Sequence, residues 1–143
     1  MYKRILITLD NSSSDRTILT HVRCLAKQLN CELVLVHVAE GFAARYQNQL
    51  NLEDSEEIRK DGEYLKRCQD ELLQEGLTVK VHLLKGEPAD QILDIAQKES
   101  IDLIAMSTHG HKFPQDLILG SVAENIRHRT DIPILMIRAN HEP

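Results

Sequence analysis

Five short apolar runs of β type alternate with helical segments along the chain, and this alternation constrains the fold more than any other feature. Strands that alternate with helices predict parallel βαβ units, in which crossover helices cover a central sheet. We therefore expect an α/β fold with five parallel strands. The predicted strands span residues 5–9, 33–38, 79–84, 103–106 and 132–137.

The helical segments carry boundary signals as well as apolar stripes. Residues 12–15 resemble a capping box before the first helix, and Pro88 suits the first turn of the third. The second helix is predicted to stop near Gly76. The last is predicted to begin around Ser121, with Glu124 completing a second capping box. Apolar spacings of three and four predict the buried faces Ile18, Val22, Leu25 and Leu29; Ile58, Leu65, Cys68 and Leu72; and Ile92, Leu93, Ile95 and Ala96.

The strands differ in the surroundings that they predict. Residues 79–84 alternate apolar and polar side chains, which is typical of a strand near solvent. The first, second and fourth runs are almost continuously apolar, as interior parallel strands are. The fifth run, from Ile132 to Ile137, contains Pro133, which cannot donate to a ladder and so predicts an edge strand. An apolar edge needs a cover, and we expect a homodimer formed through this strand.

Composition bounds the class of protein. A length of 143 residues, with 42% apolar and 27% charged residues, predicts one globular domain over residues 1–143. The net charge of −5 and an aromatic share of 3% argue against a nucleic-acid partner. The apolar opening stretch is too short for membrane insertion. Three cysteines without C-x-x-C spacing predict ordinary thiols in a reducing cytoplasm.

The stretch from Ser107 to Ser121 is the strongest candidate binding loop. It leaves an interior strand and ends at a predicted helix start, where ligands of open parallel sheets bind. Gly110 and Gly120 allow a phosphate to approach bare backbone, and a helix amino terminus attracts an anion. The alternative is a tight turn at Gly110 with an ordinary helix cap at Ser121. Spacing alone does not decide between them.

Asp10 favours the binding interpretation. It ends the first strand and precedes the polar run 11–14, where a carboxylate can accept hydrogen bonds from ribose hydroxyls or reach a metal ion. Its alternative role is a helix cap. If strands one and four are neighbours, Asp10 and the 107–121 loop face one crevice.

With these residues in place, the sequence resembles the universal stress protein family, in its ATP-binding subgroup, over essentially the whole chain. The family's motif is G-x-x-G, nine residues and G-[ST], which Gly110, residues 111–119, Gly120 and Ser121 match. Segments 5–10, 35–38 and 132–137 are also similar. Ser107 departs from the pattern, because the motif has its first glycine there. If this position lies against a phosphate, the Cβ crowds it, and a positive φ costs a non-glycine residue about 1 kcal/mol or more. At negative φ the hydroxyl can instead donate to the phosphate.

The resemblance implies a Rossmann-like, three-layer α/β/α fold with sheet order 3-2-1-4-5 and ATP, with Mg²⁺ as a candidate companion, at the ends of strands one and four. It also implies a homodimer through the fifth strands. Asp10 would meet the ribose. Thr8, Leu9, Val38 and Met106 would frame the adenine, partly through backbone groups, and Ser107, His109, Gly110, Gly120, Ser121, Val122 and Ala123 would surround the phosphates.

Three functions remain open. The favoured one is a cytoplasmic, dimeric regulatory protein of the stress response that binds ATP and acts on an unidentified partner protein. The second is a slow ATPase in which Asp10 or a loop histidine orients water, although no base with a charge clamp is evident. The third is a nucleotide-free interaction module. His109 and His111 lack the further ligands of a metal site, and the other histidines, His37 included, carry no signal.

Overall fold

Each predicted apolar run forms a β-strand in the computed structural model, which describes residues 1–40, 51–107 and 117–139. Residues 41–50 of the predicted surface loop at 40–51 and residues 108–116 of the 107–121 loop lie outside this part of the chain. Within it the elements are β1 (Arg4–Thr8), α1 (Ser14–Leu29), β2 (Glu32–Glu40), α2 (Asn51–Gln74), β3 (Val79–Gly86), α3 (Pro88–Lys98), β4 (Leu103–Ser107), α4 (Leu117–Arg129) and β5 (Ile134–Ile137).

The strands form one parallel sheet in the order β3-β2-β1-β4-β5. This confirms the predicted fold class and strand order. The three almost continuously apolar strands are interior, and β3 and β5 are the edges, as their polar pattern and proline predicted. Strand β1 is central, since it pairs with β2 on one side and with β4 on the other.

Alternate side chains of the interior strands pack into two separate cores, because successive strand residues point to opposite faces of a sheet. In β1, Ile5 and Ile7 pack with α1 and α2, whereas Leu6 packs on the opposite face with α3 and α4. All three are fully buried. The two helical layers thus cover both faces of the sheet.

The buried helix faces follow the predicted stripes with small shifts. In α1 the stripe runs through Ile18, Val22 and Ala26, and Leu29 at its end is exposed. Buried Leu65, Cys68 and Leu72 in α2 and Ala89, Ile92, Ile95 and Ala96 in α3 complete the two layers. Among the described residues, no helix is long and apolar enough to cross a membrane.

The amino end of β1 is held by a carboxylate from the β4 side. Asp102 accepts hydrogen bonds from the backbone N–H groups of Lys3 and Arg4, at 2.8 and 3.1 Å. The N–H of Asp102 in turn donates to the carbonyl of Arg4. These bonds fix the start of β1 against β4, at the end of the sheet opposite to the predicted binding site.

The fifth strand is shorter than predicted, because it begins at Ile134 and not at Ile132. Pro133 has no N–H for a ladder, so regular pairing starts after it. Its carbonyl still accepts a hydrogen bond from the N–H of Ile104, at 3.0 Å. The edge carries Met136, whose side chain is 42% exposed.

Helix α4 begins at Leu117, so the predicted start around Ser121 was wrong. Residues 117–119 are Leu, Ile and Leu, which a helix accepts readily, and a glycine weakens a helix without ending it. Glu124, which was expected to complete a capping box, pairs forward with Arg127 and His128. Gly120 therefore lies in the first turn of the helix and Ser121 just beyond it.

Candidate functional site

The carboxyl ends of β1 and β4 form the topological switch point of the sheet. The two strands are neighbours, with Ile7 in register with Ala105. From β1 the chain crosses to β2 on one side, and from β4 it crosses to β5 on the other. Ligands of open parallel sheets bind where such connections diverge, which places the candidate site beyond Thr8 and Ser107.

Four of the residues predicted to contact the nucleotide share one face of the sheet. Met106 is buried, and Val38, Val122 and Ala123 are half-buried against the same core cluster, on the side of α3 and α4. Strand alternation puts half-buried Thr8 on this side as well, since Leu6 belongs to this cluster. The arrangement is a partly open apolar corner beside the switch point.

Leu9 lies apart from these residues. Its side chain is buried in the core cluster on the opposite face, with α1 and α2. Its backbone N–H donates to the carbonyl of Val36, at 2.8 Å, and its own carbonyl accepts from the ring of His37, also at 2.8 Å. Any contribution of Leu9 to a ligand on the α3–α4 side is therefore confined to its backbone.

Asp10 is exposed at the end of β1. Its Oδ1 accepts hydrogen bonds from the N–H and the hydroxyl of Ser12, at 3.1 and 2.5 Å. These bonds tie the carboxylate to the turn at residues 9–13, which we call the β1–α1 turn, while its exposure keeps it accessible to a ligand.

Asp15 holds the backbone of this turn. Its Oδ1 accepts from the N–H of Asp10, at 3.2 Å, and its Oδ2 from the N–H of Asn11, at 2.9 Å. The predicted capping box was therefore wrong in register, because Asp15 reaches back past Ser12. The helix cap is Ser13, whose side chain makes no capping bond. Asn11 has a φ of 59°, which is unfavourable for a residue with a Cβ and needs such support.

Asp15 is itself buried, with 2% of its surface exposed, and it receives the hydroxyl of Tyr64 from α2 at 2.6 Å. Burial raises the pKa of Asp15 from 3.8 to about 7, and the negative charge of Asp10 adds to the rise while the Tyr64 hydrogen bond opposes it. Burial, followed by the charge of Asp15, raises the pKa of Tyr64 in turn. Tyr64 is thus a permanent donor to this carboxylate.

A second pair supports the same turn from β2 and α2. Asp61, which is buried, accepts from the side-chain amide of Asn11 at 3.3 Å and lies 3.1 Å from Nε2 of His37. His37 reaches the carbonyl of Leu9 through Nδ1. The His37 ring thus links the backbone of the turn to Asp61 on α2.

The sequence analysis therefore missed the part that His37 plays in holding this turn. Its neighbours along β2 are apolar, and its partner Asp61 is 24 residues away. Asp61 and Tyr64 are likewise ordinary polar residues of an amphipathic helix when only the sequence is considered. A polar residue near the end of an interior strand was the one signal that pointed to His37.

Ser107 is the last residue of β4 and is buried, with 8% of its surface exposed. It is not among the described residues with positive φ, so a serine causes no left-handed strain there. The strained alternative for this departure from the family motif is thereby excluded. What remains is the effect of its Cβ and hydroxyl on a ligand.

Of the other predicted phosphate contacts, His109 and Gly110 lie outside the described residues. Gly120 and Ser121 lie in the first part of α4. The free N–H groups of a helix belong to its first turn, which includes Gly120. In the part of the chain that the structure describes, no group of three or more His, Cys, Asp or Glu residues is placed to hold a metal ion.

The comparison with known proteins agrees with this architecture. The sequence pattern of the Universal stress protein family matches residues 1–138. The chain belongs to the universal stress protein family. Universal stress protein MJ0577 of Methanocaldococcus jannaschii is 29% identical to it, with 96% of each chain covered. Universal stress protein A homolog 1 of Coxiella burnetii is 30% identical, with 95% of this chain and 96% of the relative covered.

Solved structures of the family share the fold. The structure of MJ0577 superposes with a TM-score of 0.87 at 29% identity, covering 99% of both chains. A universal stress protein of Archaeoglobus fulgidus, solved in complex with dAMP, superposes with a TM-score of 0.67 at 23% identity. It covers 95% of this chain and 98% of its own. The predicted family resemblance is confirmed, and assignment to the ATP-binding subgroup stays a prediction.

The pKa of Asp15 predicts how the stability of this universal stress protein depends on pH. Between about pH 4 and pH 7, folded Asp15 keeps a proton that the unfolded chain has released, so the free energy of unfolding falls as the pH rises through this range. The loss amounts to at most about 4 kcal/mol and is complete above about pH 7. Urea unfolding at successive pH values measures it.

The variant Asp15→Asn tests the source of this dependence, since it removes the titrating group. Its unfolding free energy should be flatter than that of the wild type between about pH 5 and pH 7. Asp102→Asn is the matched control, because Asp102 also accepts two backbone N–H groups, and it should keep the wild-type slope. Equal slopes in Asp15→Asn and the wild type would contradict the assignment.

Proposed function

We propose that this protein is an ATP-binding, dimeric regulatory protein of the stress response. The observation that carries the proposal is the exposed carboxylate of Asp10 at the switch point, on a turn that Asp15 and Asp61 hold in place. A carboxylate at the end of the first strand is suited to the hydroxyls of a ribose.

The apolar corner beside Asp10 is suited to an adenine base and so supports the proposal. Met106 belongs to one core cluster, against which Val38 packs from β2 and Val122 and Ala123 pack from α4. A purine needs flat apolar walls and backbone hydrogen-bonding groups, and strand ends supply both. Gly120, in the first turn of α4, suits a phosphate near free backbone N–H groups, with Mg²⁺ carried by the phosphates. His109, Gly110 and Ser121 complete the proposed phosphate contacts.

Members of the same fold provide further support. Universal stress proteins have been solved in complex with cAMP and with dAMP. At 18% and 23% identity these likenesses concern the fold, so the choice of ATP rests on the match of Gly110, Gly120 and Ser121 to the family's nucleotide motif. The buried thiols of Cys31 and Cys68 fit a cytoplasmic protein.

We propose the homodimer on separate grounds. Strand β5 is an edge, and its apolar residues include half-buried Ile134 and Leu135 and exposed Met136. Pairing with the β5 of a second copy would bury them and satisfy the open edge. The regulated partner protein would then meet a two-fold symmetric molecule.

The first test is ATP binding itself. Mass spectrometry of the ligand that heat releases from purified protein should identify an adenine nucleotide, and calorimetry should show ATP binding. Asp10→Ala should weaken ATP binding about tenfold or more, because hydrogen bonds to a charged acceptor are lost. Asp70→Ala, which removes an exposed carboxylate on α2, is the control and should bind ATP as the wild type does.

Two results would overturn this function. A protein that neither carries nor binds an adenine nucleotide would be an interaction module of the same fold. Steady ATP turnover that Asp10→Asn abolishes without loss of binding would identify an ATPase.

Ser107 is tested by two substitutions that separate its Cβ from its hydroxyl. Ser107→Gly should leave ATP affinity equal or improved, because it removes a Cβ next to the proposed phosphates. It should also lower the free energy of unfolding by about 0.5–1 kcal/mol, as glycine does in a strand. Ser107→Ala keeps the Cβ and should match the wild type in calorimetry. A tenfold loss in both variants would instead make the hydroxyl a ligand.

The dimer is tested at its edge. Sedimentation of the wild type at micromolar concentration should give a dimer, and Met136→Lys should shift it to monomer, because a charge would be buried in the pairing. Leu73→Lys is the matched control, since Leu73 is 44% exposed on α2 and Met136 42% on β5. A wild-type monomer, or equal effects of the two substitutions, would contradict the proposed interface.

A further inference from the structure

The β1–α1 turn carries a polar network that the proposed contacts with nucleotide do not use. Asp15, Asp61 and His37, from α1, α2 and β2, bond to the turn that presents Asp10. Tyr64 of α2 reaches it through Asp15. Three of the four bonds that reach the turn go to its backbone, at Leu9, Asp10 and Asn11. A network that holds main chain in this way sets the position of the turn.

We propose that Asp15 and Tyr64 are positioning residues, which hold the β1–α1 turn so that Asp10 faces the ribose of a bound nucleotide. This inference rests on the proposed function. Asp15 accepts the N–H groups of Asp10 and Asn11, and the hydroxyl of Tyr64 fixes the carboxylate from α2. Asp10 follows the turn because its carboxylate is bonded to Ser12.

The left-handed conformation of Asn11 is held from two sides. Its φ of 59° lies in a region that asparagine tolerates better than most residues, helped by hydrogen bonds to its polar groups. Asp15 is bonded to the N–H of this residue and Asp61 to its side chain. Loss of the Asp15 bonds would let the turn relax and move Asp10 away from the carboxyl end of β4.

Protonation of Asp15 offers an independent way to weaken these bonds. The ionised carboxylate accepts both N–H groups and the Tyr64 hydroxyl, whereas the protonated form is a poorer acceptor. Burial and the charge of Asp10 raise the pKa of Asp15 to about 7. The groups that face it are Asp10 in the turn and Tyr64 and Cys68 on α2, with Asp61 and His37 beyond Asn11.

The test compares ATP with 2′,3′-dideoxy-ATP, which lacks the hydroxyls that Asp10 would accept. Calorimetry at pH 8 should show that the wild type prefers ATP about tenfold or more. Tyr64→Phe and Asp15→Asn should reduce ATP affinity about three- to tenfold and leave the affinity for dideoxy-ATP within about twofold. A role limited to overall folding would weaken both nucleotides alike.

Asp102→Asn is the control. Asp102 also holds two backbone N–H groups of the segment that contains β1, but at the opposite end of the sheet. It should leave the preference for ATP over dideoxy-ATP unchanged. Tyr64→Phe removes one hydroxyl and keeps the ring, so it carries the test even if Asp15→Asn does not fold.

A pH series supplies the second measurement. Between pH 8 and pH 6 the wild-type preference for ATP should decline as Asp15 takes up a proton, and in Asp15→Asn it should stay level. The triphosphate is common to both nucleotides, so its own titration cancels in the ratio of affinities.

The outcomes separate the two proposals. Parallel losses for both nucleotides in Tyr64→Phe, or no loss at all, would overturn the positioning role while ATP binding stands. Equal binding of ATP and dideoxy-ATP by the wild type would also overturn the positioning role, because Asp10 would then not face the ribose. A wild type that binds neither nucleotide would overturn the proposed function itself.

Discussion

Strand β1 has both faces buried and both edges paired, and the rest of the structure is arranged around that constraint. Ile5 and Ile7 need a helical layer on one side, and Leu6 needs one on the other. Since β2 lies on one side of β1 and β4 and β5 lie on the other, the β1–β2 and β4–β5 connections leave in opposite directions. The divergence at the end of β1 follows from this and creates the place for a ligand.

The same constraint creates a difficulty where β1 ends. Its last residues pass from a fully apolar interior to a polar turn, and the buried N–H and C=O groups of that turn must find partners. Asp15 and His37 provide partners for the backbone, and Asp61 accepts from the side-chain amide of Asn11. The polar network is therefore part of the fold and part of the candidate site together.

Two carboxylates five residues apart take different roles because their environments differ. Asp10 is exposed and its carboxylate accepts from Ser12, so it is accessible to a ligand. Asp15 is buried next to it, and the resulting rise in its pKa brings its titration near neutral pH. Water stabilises one charge and backbone donors stabilise the other, which separates a binding group from a positioning group.

The sequence alone was sufficient for the five strands and for which of them are interior and which are edges, because hydrophobic periodicity and Pro133 are local signals. The strand order came from the resemblance to the family, and the structure confirms it. The role of Asp10 stays a prediction. Local signals misled at helix ends: Ser121 does not begin α4, and Asp15 caps a turn further upstream than the capping-box spacing implied. Only the tertiary structure joined Tyr64 to Asp15 and His37 to Asp61, across 49 and 24 residues. Such bonds produce no periodic pattern in the sequence, because their partners meet only after the helices have packed on the sheet.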